Sequence, residues 1–589
     1  MIKEWTISNF KSIENEKRLE FRPLTIFTGA NSSGKSAVLQ SLLLVSQTLQ
    51  NQMVSRSVVL NGSIKQFGSY NDVVFRRDSK RHIRIGFSIN KESLDNGFYY
   101  GVGDKFDRVE CNFEIASKGV EEDLQPKLEQ LELNLYNGKA KSSHLSIRRN
   151  SKQRSQIQTK NINDLDDNEE FVIDTDYKSP YGFWGTKKQL DYQGVQFFHF
   201  LPSFLIRKYS VKEKYGVFIS NMLDPNDHHF NILKYTEAQE LSDILRTESM
   251  KIAADVYNDC RRRSEKMKEK YKNLQKSFSI EDFESFIRSV NIAQTKRNDY
   301  QQRLMNVVKP IKESFGTERE PMYFHQGVEY VKDFFIGNIK YLGPLRDEPK
   351  SIYPLETVGS IADVGLKGEN TAAVYENNKD LEFDYIDPIV FNDIDKIAFR
   401  RKRATLSSIV NKWLVYLGVA SDINTIDKGK FGHELKITTD IDQLKQDLTH
   451  VGVGVSQILP ILILCLLAKK GSVIILEQPE LHLHPRVQTR LADFFVSLNA
   501  LGKQCVVETH SEYLINRLRY IVAKTKGNKV ATNSLIYFVE KDNGHSNYRP
   551  IKINKYGVIE DWPKGFFDES EDIAASIIRA GYEKRKMEH

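Results

Sequence analysis

Cysteine is scarce: Cys111, Cys260, Cys465 and Cys505 are the only four in 589 residues, and no two have a paired or metal-ligand spacing. This excludes a disulfide framework and a cysteine-based zinc site, and leads us to expect reduced, mostly buried thiols. Long hydrophobic runs are missing too. The longest, Ile458 to Ala468, is about half of the roughly 20 residues a membrane span needs, so a buried helix is expected and no membrane partner. Neither charge sign dominates: 85 basic against 78 acidic residues leave a net +7. Attraction for a polyanion must therefore come from local patches, which admits a nucleic acid without implying one. Residues 1–10 alternate like a strand and lack the apolar core of a signal peptide. A chain that folds from its first residue, in the cytoplasm, is the expectation.

Glycine is absent from 236 to 315, and Pro310 is the only proline there, while Glu, Lys, Arg and Gln abound. That composition predicts long helices, as a helical hairpin or short coiled coil; the heptads are too irregular for an extended coil. Within it, the basic run Arg261 to Lys270 reads first as a solvated helix face and second as a phosphate-backbone contact. Residues 80–200 alternate instead, as in Arg81 to Ile89 and Leu131 to Leu135. They predict an antiparallel β arm with its loosest loop at about 136–170. Before and after these stretches the pattern is α/β, with a short buried strand at Pro23 to Thr28 and a helix from Ser36 to about Gln50.

The strongest local signal lies between that strand and helix. Gly29-Ala30-Asn31-Ser32-Ser33-Gly34-Lys35-Ser36 is a complete phosphate-binding loop, with glycines that let backbone N–H groups wrap phosphates at a helix N-terminus. Lys35 is placed to neutralise the β and γ oxygens of ATP, and Ser36 to ligate Mg²⁺. Far downstream, the apolar strand Val473 to Leu476 ends in Glu477, as expected of an acid presented to Mg²⁺ at the carboxyl end of a parallel sheet. Then Glu477-Gln478-Pro479-Glu480-Leu481-His482-Leu483-His484-Pro485 puts two acids and two imidazoles into nine residues. The bland alternative is a solvated turn with histidine caps; a zinc site lacks a third ligand nearby. A further strand, from Cys505, ends at Glu508-Thr509-His510-Ser511, where His510 is placed to sense a γ-phosphate. Val451-Gly452-Val453-Gly454-Val455-Ser456-Gln457 precedes the apolar helix expected at Ile458. The chain already has one phosphate cradle, so this second glycine-serine turn suits the γ-phosphate of a partner copy in a head-to-tail sandwich.

In their order along the chain (29–36, 451–457, 477–485, 508–511), these motifs resemble the ABC-type ATPases of the SMC/RecF class, and more closely the OLD-like AAA ATPases of bacterial defence and genome maintenance. The opening Ile7 to Ser12 is similar to that family's first strand, where polar residues, here Asn9 and Lys11, approach the nucleotide. Tyr341 to Arg346 and Trp562 to Asp568 also look like family segments. The resemblance implies an α/β fold: an ABC-type ATPase head, a P-loop mixed sheet with an antiparallel β arm, plus a helical insertion. It divides the chain into 1–210 (N-terminal half-head with arm), 211–335 (helical insertion), 336–540 (C-terminal half-head) and 541–589 (extension). ATP and Mg²⁺ are the implied cofactors. Lys35 is assigned to the phosphates, Ser36 and Glu477 to Mg²⁺, Ser456 with Gln457 to the partner's γ-phosphate, and His510 to the switch role. Gln478 departs from the pattern: many relatives have a second acid there, and an amide cannot accept a proton from water at neutral pH. Either Glu480 or His482 substitutes, or hydrolysis is slow and the ATP-bound dimer long-lived.

Many OLD-like proteins carry a Toprim nuclease after the ATPase. Here Leu535 to Glu540 is a strand ending in an acid and Asp542 follows, but no later Asp-x-Asp pair does, so a complete two-metal nuclease is not expected. The resemblance implies an ATP-gated homodimer or higher oligomer that controls a separate nuclease effector in antiphage defence. Two alternatives stand beside it. One is a RecF/RecN-type repair ATPase acting directly on DNA; the other, suggested by Gln478, is a module that holds ATP without consuming it.

Overall fold

A computed structural model describes residues 1–53, 56–91, 106–120, 122–149, 171–175, 192–223, 235–260, 264–290, 292–308, 313–319, 322–353, 362–393, 396–439, 444–563, 565–567 and 569–588. Two compact units emerge, one of residues 1–148, 197–201 and 323–589, the other of 149–196 and 202–322.

The first unit is α/β. Its central sheet has six strands in the order Ile339–Leu342, Val473–Glu477, Gln504–Glu508, Leu24–Gly29, Ser534–Asp542 and His545–Ile551. The first five are parallel and the last pairs antiparallel with its neighbour. Both inner strands that end in acids are buried along their whole length, which explains why they read as continuous apolar runs rather than alternating ones. The helix expected at Ile458 starts four residues earlier, spans Gly454–Leu467, and is buried from Val455 onward. A helix apolar all round needs core on every side; here it shares one cluster with Ile26, Trp413, Ile474, Phe494, Val507 and Leu518. Among the described residues no helix is long and apolar enough to cross a membrane.

Beside this sheet, Lys17–Glu20, Ile2–Ser8, Ile83–Asn90, Arg108–Ala116, Lys127–Asn137 and Ala140–Arg149 lie side by side in an antiparallel sheet, the expected β arm. Its alternation is clean: Val109, Cys111, Phe113 and Ile115 are buried, with partly exposed residues between them. Two contacts fasten the arm to the central layer. Trp5 Nε1 donates to Ser41 Oγ at 2.9 Å, and the Gln504 amide bonds the backbone N–H and C=O of Ile2 at 2.9 and 2.8 Å. Of the loose loop expected at about 136–170, residues 140–149 instead form the strand Ala140–Arg149, paired with Lys127–Asn137, and 150–170 lie outside the described residues.

Among its described residues the second unit has five helices, Val211–Leu223, Tyr235–Asp259, Glu265–Lys276, Ile280–Arg288 and Gln294–Val307, rather than a two-helix hairpin. They enclose a core of their own that includes Leu241, Ile252, Phe283, Phe286 and Leu304. Flanking strands Leu201–Ser210 and Glu313–Arg319 pair antiparallel. Ser264 and Ser279 cap successive helices, accepting from Met267 N and Asp282 N, so serines divide what composition alone reads as one long helical stretch. In the basic run, Lys268 pairs with Glu265 and Lys270 Nζ donates to Ser285 O at 2.8 Å. Those contacts favour the solvated-face reading; Arg261, Arg262 and Arg263 lie outside the described residues.

One buried charge pins three helices of the first unit. Asp493, fully buried on the helix Pro485–Ala500, accepts from Arg517 Nε at 2.9 and 3.1 Å and from Tyr416 OH at 2.8 Å. Burial pushes its carboxyl up to about 6, against the opposing pull of Arg517 and Tyr416. Asp493→Ala strands the Arg517 guanidinium and is expected to cost about 3–5 kcal/mol in chemical denaturation. Because the folded-state value is raised, the Asp493 contribution is greatest at acidic pH and is lost as pH rises through about 6. In Asp493→Asn that part of the pH–stability profile should flatten; an unchanged profile would refute the assignment.

Candidate nucleotide site

Parallel strands bring their carboxyl ends to one edge, and the sequence places its chemistry there. The Leu24–Gly29 strand delivers the glycine loop, Val473–Glu477 delivers Glu477, and Gln504–Glu508 delivers Glu508 and then His510. Two glycines have steric reasons to be glycine. Gly29 (φ 140°) would put a Cβ 2.2 Å from Val539 O, and Gly34 (φ 105°) would put one 2.0 Å from Ser546 Oγ. Gly34 caps the helix Lys35–Gln50, whose first turn has no acid, so its N-terminal dipole is open to an anion. Asn31 and Ser32 form the exposed crest of the loop, Ser32 with φ 59°, and Ser33 is buried behind them.

Lys35 is only 3% exposed, and its Nζ donates to Gly29 O at 3.1 Å and Ala30 O at 2.7 Å. Burial lowers its ammonium from the usual range, against the opposing influence of Glu508 and Glu480. The loop carbonyls thus hold the lysine where phosphate oxygens would compete for it. Behind the loop, Ser546 Oγ bonds Ser33 O at 2.6 Å and Ser12 Oγ at 2.7 Å, and Tyr548 OH donates to Gly34 O at 2.7 Å.

Three buried carboxylates line the edge. Glu477 accepts from Tyr341 OH at 3.1 Å. Glu480 Oε1 accepts from His510 N at 2.6 Å, joining the turn after the first acid strand to the end of the second; burial raises its carboxyl. Glu508 Oε1 accepts from Ser36 Oγ at 3.0 Å. Burial above all pushes Glu508 up to about 7, with Glu477 adding to the shift, while Ser36 and Lys35 oppose it. Arg346 faces the same field. Burial lowers its guanidinium to about 10, and among the described residues its Nε and Nη1 have no hydrogen-bond partner. His510 is lowered by burial first and by Lys35 second, which keeps its ring neutral at neutral pH.

The structure therefore brings Lys35, Ser36, Glu477, Gln478, Glu480 and His510 to one edge. Gln478 takes a left-handed backbone (φ 45°) and its N–H donates to Glu508 O at 2.8 Å. His482 and His484 are exposed, and His484 Nδ1 accepts from Arg486 N at 3.2 Å as the cap of the Pro485–Ala500 helix, so this half of the His-x-His pair has a capping use. Lys11 (φ 51°) bonds Gln40 Oε1, and burial lowers its ammonium. Asn9 (φ 54°) spends its side chain on His82 O and Arg81, at 2.9 and 3.3 Å. Ser456 and Gln457 are not joined to the loop by any hydrogen bond among the described residues. Both are buried, and Ser456 Oγ donates to Val453 O at 2.7 Å. The outward part of that turn is Gly452 and Val453.

Sequence reading gave no role to Glu508, Tyr341, Arg346, Ser546 or Tyr548. For Glu508 a signal existed, since Cys505 to Val507 is an apolar strand ending in an acid just as Val473 to Leu476 is. What the pattern cannot carry is which strands are neighbours.

The glycine cradle and the acid strand beside it fit ATP with a divalent cation, and they define a P-loop nucleotide-binding fold. The chain belongs to the AAA ATPase domain family, whose model matches residues 1–515. A second family model, described as a protein of unknown function (DUF3696), matches residues 531–575. No curated protein matches. Among solved structures, the chain is similar to an Smc head bound to the C-terminal winged-helix domain of ScpA, at 10% identity over 94% of this chain and 98% of that one, TM-score 0.35. An Smc head with an extended coiled coil from Pyrococcus furiosus, bound to the C-terminal domain of ScpA, gives 11% identity, 98% and 99% coverage, and 0.33. The SMC head domain from Thermotoga maritima gives 8%, 94% and 99%, and 0.31.

Proposed function

We propose that this chain is a Mg²⁺-dependent ATPase that works as a switch: ATP bound at Gly29 to Ser36 closes two copies in a head-to-tail sandwich. The observation that carries the reading is the meeting of Lys35, Ser36, Glu477 and His510 at one carboxyl edge around a sterically enforced glycine cradle. Lys35 holds the β and γ oxygens, Ser36 and Glu477 hold the cation, and neutral His510 reads the γ-phosphate. When bound, the cation neutralises phosphate charge and draws electron density from the γ-phosphorus. With Gln478 beside Glu477, water is oriented but not deprotonated by that position, so turnover is slow and the closed dimer persists.

Closure is across the 451–457 turn. Gly452 has open space around its Cα, so Gly452→Glu is tolerated by the fold while setting a carboxylate against a partner's triphosphate. Light scattering should show an ATP-dependent dimer for the parent protein and a monomer for Gly452→Glu, with ATP affinity of the single head changed less than about threefold. A dimer that survives this substitution would refute closure through this turn.

The resemblance to OLD-like ATPases supports antiphage defence as the setting, with the helical unit coupling closure to a separate nuclease effector. Purification of the tagged chain with its bound partners tests this. Recovery of a nuclease supports it, whereas ATPase stimulation by bare DNA, with no protein partner, would favour the repair reading.

A further inference from the structure

Glu508 is the one acid at the nucleotide edge to which neither motif nor family pattern gives a role. Its side chain is 4% exposed. One carboxylate oxygen, Oε1, is taken by Ser36 Oγ at 3.0 Å, and the other, Oε2, is buried with no hydrogen-bond partner among the described residues. A buried carboxylate oxygen without a donor is costly unless it takes up a proton or a cation comes to it. Lys35, whose charge acts on Glu508, does not hydrogen-bond it, because Lys35 Nζ is held by the carbonyls of Gly29 and Ala30.

Register places this oxygen where a cation is needed. Glu477 and Glu508 face each other in the parallel pairing of their strands. In-register neighbours lie roughly 5 Å apart and project to the same face of the sheet, so both carboxylates stand side by side beside the first turn of the loop helix. With Ser36 they make three hard oxygen donors, the kind of partial set Mg²⁺ accepts when phosphates and waters complete its shell. Among the described residues no group of three or more His, Cys, Asp and Glu could hold a metal. The cation would therefore arrive with the nucleotide.

We propose that Glu508 is a third protein ligand of the nucleotide's divalent cation, through Oε2, beside Ser36 and Glu477. Oε1 acts separately, since by accepting a hydrogen bond from the Ser36 hydroxyl it turns the lone pairs of Ser36 toward the same cation. This rests on the nucleotide-site reading above and adds a consequence which that reading lacks. Two carboxylates, instead of one, repel a triphosphate that comes without its metal. Binding of ATP and of the cation are thus tightly coupled, and by linkage each tightens the other equally.

The test is binding, not turnover. A fluorescent ATP analogue is titrated into the full chain with excess Mg²⁺ and, separately, with EDTA, for the parent and for Glu508→Gln. The parent should bind far better with Mg²⁺. In Glu508→Gln the ratio of the two dissociation constants should shrink at least about tenfold, both by weaker Mg²⁺-ATP binding and by stronger metal-free binding. Mn²⁺ affinity in the presence of the analogue, read by electron paramagnetic resonance, should fall in parallel. Glu508→Asp keeps the charge but withdraws the oxygens, and should weaken Mn²⁺ while leaving metal-free ATP repelled; it decides the matter if the glutamine variant does not fold. An unchanged ratio in a variant that still binds ATP overturns the role of Glu508 and leaves the ATP site standing. A parent chain that binds no nucleotide under either condition overturns both.

Discussion

Lys35→Ala is expected to weaken ATP binding at least about a hundredfold and to abolish hydrolysis. The size follows from what Lys35 now touches. Its ammonium is held at the mouth of the loop by Gly29 O and Ala30 O, and in the proposed bound state it exchanges these for charged phosphate oxygens. Each charge-assisted hydrogen bond contributes about 1.5–3 kcal/mol, and two of them exceed the ~2.7 kcal/mol that a hundredfold represents. Stability should change little, because Ala30 is exposed and Gly29 partly so, and water can serve both freed carbonyls. Calorimetric titration with ATP, alongside thermal melting of both proteins, checks the two halves together. Retained tight binding by a folded Lys35→Ala protein would mean that nucleotide binds elsewhere or not at all in this loop.

Gln478→Glu is the converse, a gain. Gln478 directly follows Glu477, the proposed cation ligand, its backbone is already left-handed, and its N–H is tied to Glu508 O. The substitution alters only the side-chain head, so the position it offers to water is preserved while an acceptor for the proton appears. General-base assistance contributes about 10²–10⁴ in rate. We expect single-turnover hydrolysis to rise at least about tenfold, the lower figure reflecting the repulsion from the carboxylates of Glu477, Glu480 and Glu508 already buried nearby. The ATP-bound dimer should shorten its lifetime accordingly. Brisk hydrolysis in the parent that Gln478→Glu does not raise would show that another group already takes the proton.

Glu480 and His482 were both candidates for that role by sequence. The fold distinguishes their surroundings: Glu480 is buried with Oε1 engaged by His510 N, and His482 is exposed on a left-handed turn. Neither distinction is visible in the motif, where the two stand two residues apart. Similarly, the turn at 451–457 reads as a loop ahead of a helix, yet the helix begins at Gly454. An apolar helix can extend into a glycine-rich stretch when its own core contacts offset the poor helix propensity of glycine.

Much was local, and therefore legible. A strand, a glycine loop, a lysine and a helix follow one another within residues 24–50, because phosphates are wrapped by consecutive backbone N–H groups. Buried parallel strands announce themselves as apolar runs, and a sheet face on a core as alternation; both periods are properties of the backbone and survive in any sequence that folds this way. The acids at the strand ends were legible for the same reason. Which strands would lie side by side was not. Ser36 and Glu508 are 472 positions apart, and Ser33 meets Ser546 across 513. Parallel neighbours are chosen by crossover connections and by how the whole core packs, not by the residues that end up adjacent. The chemistry was thus written in the chain, while the partner of each acid, and the buried oxygen left waiting at Glu508, came only with the folded sheet.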